Sequence, residues 1–94
     1  MEIKVKETET AMGWRFSVTI LDTKGEQNYN VSMDKDFLLR VGSHYDPTKL
    51  VQKSFEFLLE REPKERILPE FDISTLAHHY PGFTDDIISR MDFS

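Results

Sequence analysis

Trp14-Arg15-Phe16-Ser17-Val18-Thr19-Ile20 alternates apolar and polar side chains without a break. Successive side chains of a strand point to opposite faces, so Trp14, Phe16, Val18 and Ile20 share one face and Arg15, Ser17 and Thr19 the other. Asp22-Thr23-Lys24-Gly25-Glu26 then supplies turn residues. Gly25 can take the positive φ that a tight hairpin or a glycine bulge requires. Tyr29, Val31 and Met33 resume the alternation. Pairing Ile20 with Tyr29, Val18 with Val31 and Phe16 with Met33 sets all six on one face and places the hairpin tip at Lys24-Gly25. A slip of one residue would turn an apolar row into water, so the pattern itself selects this register. Upstream, Ile3 and Val5 open a first strand, joined to the second through residues 8–13. Three strands in meander order result, and a charge at Val31 is expected to disrupt folding.

Beyond Met33 the apolar period becomes helical. Asp34 is placed to cap a helix carrying Phe37, Leu38 and Val41 on one side, with Gly42 just past its end. Asp46-Pro47 sets a capping carboxylate before a proline at the first helical position, where its missing N–H costs nothing. The helix that follows runs to about Arg61. Its apolar arc of Leu50, Val51, Phe55, Phe57, Leu58 and Leu59 is broad enough to meet neighbours on two sides. After Pro63, Ile67, Leu68 and Phe71 are expected in a short helical turn, and Asp72 as the cap of another helix. Ile73, Leu76, Ala77 and Tyr80 fall at i, i+3, i+4 and i+7, and Pro81-Gly82 ends that run. Thr84 is expected to cap a last helix, with Asp85 and Asp86 in its first turn and Ile87, Ile88 and Met91 inward. The fold class is therefore α+β: one domain over residues 1–94, with a three-stranded antiparallel meander over 1–33 packed on one face by the C-terminal helices of 34–91.

Composition bounds the function. A chain of 94 residues, 38% hydrophobic and 31% charged, fits one core and leaves no room for a second. Seven Phe, three Tyr and one Trp at regular spacing argue against disorder. The absence of cysteine excludes disulfides, thiolate nucleophiles and sulfur-rich metal sites, and it suits a reducing compartment. Met1-Glu2-Ile3-Lys4-Val5-Lys6 lacks the basic start and apolar run of a signal peptide, and no apolar stretch is long enough to span a bilayer. The expectation is a cytoplasmic protein with no membrane contact.

No catalytic, metal or cofactor-binding residue is assigned. His78 and His79 are adjacent and so diverge by about 100° on a helix, and His44 stands apart, so no convergent zinc set can be assembled. Asp85-Asp86 complement a helix N-terminus more simply than they form an acid–base pair. No nucleophile elbow, Walker loop or dinucleotide fingerprint occurs. These observations point away from an enzyme, and a small enzyme without a recognisable motif ranks third among the readings.

Two surfaces remain. Lys4, Lys6, Arg15, Ser17, Thr19, Asn28 and Asn30 should face away from the helices. Of these, Lys4, Lys6 and Arg15 would carry a nucleic-acid role. A net charge of −5 argues against it, and so does the assignment of every strand aromatic to the buried row, because single-strand binders stack bases on exposed aromatics. Residues 72–80, 81–82 and 84–91 could be drawn as helix, turn and helix, but Asp85 and Asp86 would then confront phosphate. Residues 27–33 carry no charge and offer an edge to a protein partner or a second copy by β-augmentation. Leu21 and Leu39 each leave their element's apolar face and, with Asn28 and Asn30, form the expected partner surface. The leading expectation is a noncatalytic protein-interaction or regulatory domain without cofactor.

Ser54-Phe55-Glu56-Phe57-Leu58-Leu59-Glu60-Arg61-Glu62-Pro63, with Phe71 and Tyr80-Pro81-Gly82-Phe83, resembles segments of short prokaryotic proteins to which no function is attached. The resemblance covers the C-terminal half and implies no activity, ligand or site.

Overall fold

In a computed structural model describing residues 1–93, β1 (Glu2–Glu9), β2 (Gly13–Asp22) and β3 (Gly25–Asp34) run antiparallel in meander order. The meander is extended by a further strand. β4 (Glu70–Asp72) lies parallel to residues 30–32 of β3, giving a four-stranded sheet in the order β1-β2-β3-β4. Phe71 thus belongs to a strand and not to a helical turn. The only helical turn in that stretch is the 3-10 helix Lys64–Arg66. Three residues with one apolar side chain carry no periodicity of their own, and it is pairing with β3 that makes them a strand.

Each alternating residue of β2 and β3 lies on the face expected, but the register is shifted by two. Val18 faces Tyr29, Phe16 faces Val31 and Trp14 faces Met33, while Ile20 is opposite Gln27. Asp22 pairs with Gly25, so the tip is Thr23-Lys24. A two-residue shift preserves parity, and burial alone cannot select between the two registers. The turn selects. An Asp22 carboxylate oxygen accepts the Lys24 N–H at 2.8 Å, and Gly25 follows at φ 134°, a positive value that favours glycine. The same oxygen also takes the Lys64 ammonium at 2.7 Å, while the Gly25 carbonyl receives that ammonium at 3.2 Å. Tyr29 Oη donates to the Lys64 carbonyl. Lys64, buried although charged, thereby ties the hairpin tip to the chain leaving the helical layer.

Among the described residues four α-helices complete the fold: α1 (Lys35–Val41), α2 (Pro47–Leu59), α3 (Thr75–His79) and α4 (Phe83–Asp92). Asp34 accepts the Phe37 N–H at 2.8 Å and Asp46 the Thr48 N–H at 3.2 Å, so both expected caps form. α2 buries Leu50, Val51, Ser54, Phe55, Phe57 and Leu58. Phe55 meets Tyr29 of the sheet at 5.2 Å between ring centres, and Phe57 meets Phe83 of α4 edge-on at 5.1 Å. The central helix is thus packed between sheet and C-terminal helices, as its broad arc implies. Ser54, fully buried within it, satisfies its hydroxyl on the Leu50 carbonyl at 2.8 Å.

Two expected caps are displaced. α4 begins at Phe83, after Gly82 at φ 83°, rather than behind Thr84. The left-handed glycine turns the chain so that Phe83 enters the core, where it is 1% exposed. Asp72 ends β4 and holds the bend before α3 instead of capping it: its carboxylate accepts the Ser74 N–H at 2.9 Å and the Ser74 hydroxyl at 2.6 Å. Its other oxygen accepts the Ser32 hydroxyl at 2.8 Å, tying β4 to β3.

These carboxylates set an acid limit on stability. The hydrogen bond from Lys64 holds the Asp22 carboxyl below its ordinary range, and the one from Arg90 does the same for Glu60. At Asp72 burial pushes upward, but the Ser74 and Ser32 hydrogen bonds outweigh it and the net shift is downward. A lowered folded pKa means stability that is present above the unfolded value of about 4 and is lost as pH falls through the folded value. Thermal melts are expected to hold level from neutral pH to about 5 and to fall below about 4. Asp72→Asn and Asp22→Asn should each flatten that acid limb, and an unchanged limb in both would show that these contacts do not form.

Candidate functional site

A concavity lined mainly by apolar side chains lies where the C-terminal end of α2, the 3-10 helix, β4 and α3 meet. Leu58 projects from α2, Phe71 from β4, Leu76 from α3, and Ile67, Leu68 and Tyr80 from the connecting segments. The backbone leaves the 3-10 helix extended at Ile67. Consecutive side chains therefore diverge: Ile67 is buried, while Leu68 stands 65% exposed at the lip. The groove encloses about 340 Å³, within the size range of small-ligand and peptide side-chain sites. Glu62, Arg66, Thr75 and His79 line its rim. Tyr80 packs edge-on against Phe57 at 5.6 Å, so one wall rests on the rigid core.

Among the described residues, no group of three or more His, Asp or Glu side chains comes together as a metal site. His78 and His79 are exposed in the last turn of α3, and His44 stacks on Tyr45 at 4.2 Å between ring centres. Asp86 pairs with Arg90, which also reaches Glu60 at 2.7 Å. Those acids are engaged in ion pairs.

The residues singled out in the sequence are scattered by the fold. Leu21 pairs with Glu26 beside the β2–β3 turn, whereas Leu39 sits on α1, which starts after Asp34 at the far end of the same strand. They form no common patch. Asn28 is engaged locally, accepting from the Thr19 hydroxyl at 2.8 Å and donating to Glu26 at 3.2 Å. Asn30 lines a mainly polar cleft of about 210 Å³ with Arg15, Ser32, Glu70 and Asp72. The 27–33 edge is taken over 30–32 by β4: Asn30 donates its N–H to Pro69 O and Ser32 O accepts from Ile73, each at 2.8 Å.

Lys4, Lys6 and Arg15 do share the outer face, as expected. That face also carries Glu2, Glu26, Glu70 and Asp72, and Lys4 lies 4.0 Å from Glu2. Trp14, Phe16, Tyr29 and Phe71 all belong to the opposite, helix-covered side. The outer face is thus of mixed charge and has no aromatic platform.

Leu68, Arg66 and Tyr80 were not expected as site residues. The one signal present was Ile67-Leu68-Pro69, in which two adjacent apolar side chains before a proline must diverge on an extended backbone. No protein family, curated protein or solved structure matches the chain. No helix among the described residues is long and apolar enough to cross a membrane.

Proposed function

We propose that this domain is a noncatalytic protein-interaction module whose contact surface is the groove between α2, β4 and α3. The observation that carries this reading is Leu68, a large apolar side chain exposed at the lip of a preformed apolar groove. The occupant is a short apolar segment of another protein carrying an acidic residue. Apolar side chains would cover Leu68, Phe71 and Leu76, and the carboxylate would meet the Arg66 guanidinium, with the His79 ring beside it as a hydrogen-bond donor.

Selection of a random peptide library on the immobilised domain tests this. Wild type should enrich apolar sequences containing Asp or Glu. Leu68→Glu, at an exposed position, should leave the melting temperature within a few degrees and weaken the selected peptides at least tenfold, about 1.4 kcal/mol. Arg66→Glu should remove the preference for acids while retaining the apolar one. Equal enrichment by wild type and Leu68→Glu would refute the groove as the contact surface.

A further inference from the structure

β1 is the unpaired side of the sheet, and its residue pattern favours one partner. Glu2–Glu9 bonds only to β2 within the sheet, while β4 occupies the opposite edge. The direction of its backbone groups follows from the ladder. The Thr10 N–H meets Gly13 O at 2.8 Å in the same register, so the even-numbered residues of β1 bond toward β2. Ile3, Val5 and Glu7 therefore turn their N–H and C=O outward, away from the sheet. A long exposed edge of this kind either carries a deterrent or takes a partner. The lysines at positions 4 and 6 would be the deterrent if the other charges on the strand did not complement them.

They do complement them in an antiparallel register centred on Lys4. About a twofold axis through Lys4, Glu2 of one copy lies opposite Lys6 of the other, and the reciprocal pair forms on the far side of the axis. Ile3 lies opposite Val5, twice, in the hydrogen-bonded pairs that the outward groups of both residues require. Shifting by two residues in one direction sets Lys4 against Lys6 and Ile3 against Glu7. Shifting in the other direction sets Glu2 against Lys4 twice, but it replaces the two Ile3–Val5 pairs by Ile3 with Ile3 and by Val5 with Met1, a residue outside the strand. In the favoured register the only like charges directly opposite each other are Lys4 and Lys4; each has Glu2 on one diagonal and Lys6 on the other, and its own Glu2 at 4.0 Å.

The helix side of this edge is also unfilled. An open groove of about 430 Å³ runs below β1, lined by Ile3, Gln52, Glu56 and Leu59, with Ile3 and Leu59 half-buried in it. The Ile3 and Val5 side chains of a second copy would extend the apolar row over that groove.

We infer that β1 pairs with β1 of a second copy, antiparallel about Lys4, joining two four-stranded sheets into one of eight. This contact is separate from the Leu68 groove and does not depend on it.

Charge exchange tests the register. Sedimentation equilibrium should show a reversible dimer of the 11.1 kDa chain. Glu2→Lys and Lys6→Glu, both at exposed positions, should each turn two attractive pairs into two repulsive ones and weaken dimerisation at least about tenfold. The double variant Glu2→Lys/Lys6→Glu should restore it. A mixture of the two single variants should form the heterodimer although neither dimerises well alone. A wild type that stays monomeric at every concentration would overturn the proposal. So would a dimer indifferent to the single exchanges, or one that the double variant does not rescue.

Discussion

Val31→Lys is expected to leave the chain largely unfolded at 25 °C. Val31 is 2% exposed on the third strand, opposite Phe16 on one side and Phe71 on the other, so its side chain has no route to water. An unpaired ammonium buried there costs several kcal/mol even after relaxation, and a domain of this size has only about 5–15 kcal/mol in total. The charge would also part β3 from both neighbours. Asn30→Lys, one residue away, is the matched comparison. Its side chain lies on the outer face opposite Glu70, and the substitution should change stability by no more than about 0.5 kcal/mol. Circular dichroism and urea titration of the two proteins read the difference. Similar midpoints would mean that the two faces of β3 have been assigned wrongly.

Gly13→Ala should lower stability by about 2–4 kcal/mol, a fall in melting temperature of roughly 10–25 °C. A methyl group at that position would lie 2.1 Å from the Met33 carbonyl oxygen and 2.6 Å from the Asp34 Cα, both backbone atoms of β3. No side-chain rotation relieves either contact, so β2 and β3 must separate at the end of their ladder. The damage then spreads to both sides. Gly13 donates its N–H to the Thr10 hydroxyl at 3.1 Å in the turn from β1, and Asp34 is the cap of α1. Gly25→Ala has a different cause and a smaller effect. There is open space around that position, and only the φ of 134° resists a side chain, for about 1 kcal/mol. Equal losses at the two glycines would contradict the close approach at Gly13.

The contrast between these sites shows which parts of the fold were legible in the sequence. Faces were legible, because alternation is a parity signal and every alternating residue of β2 and β3 falls on its expected side. Register was not, because shifts of two preserve parity. The choice rests on Asp22, Gly25 and Lys64, residues forty positions apart in part, whose meeting no local pattern announces. The caps at Asp34 and Asp46 were legible because the carboxylate and the N–H it satisfies are two or three residues apart. β4 was not, since Glu70-Phe71-Asp72 has one apolar residue and becomes a strand only through pairing with β3.

The same reasoning explains why the candidate site moved. The sequence offered the uncharged edge of residues 27–33 and the stray apolar residues Leu21 and Leu39. β4 occupies part of that edge, and the meander separates the two leucines by most of the length of a strand. The groove beside Leu68 is assembled from four consecutive elements within residues 58–80, and it exists only because they fold back on one another. What remained readable was an adjacency, Ile67-Leu68 before Pro69, whose side chains must diverge on an extended backbone.

Site-specific photo-crosslinking in a lysate of the native cells tests the binding account most directly. A photoreactive residue would replace Leu68 in one protein, Leu21 in a second and Leu39 in a third, and the crosslinked segments would be sequenced. The groove account predicts a saturable crosslink from position 68 to an apolar segment containing an acidic residue, diminished by Arg66→Glu and absent from positions 21 and 39. Crosslinks from position 21 or 39 with none from 68, or the same products from all three, would contradict it.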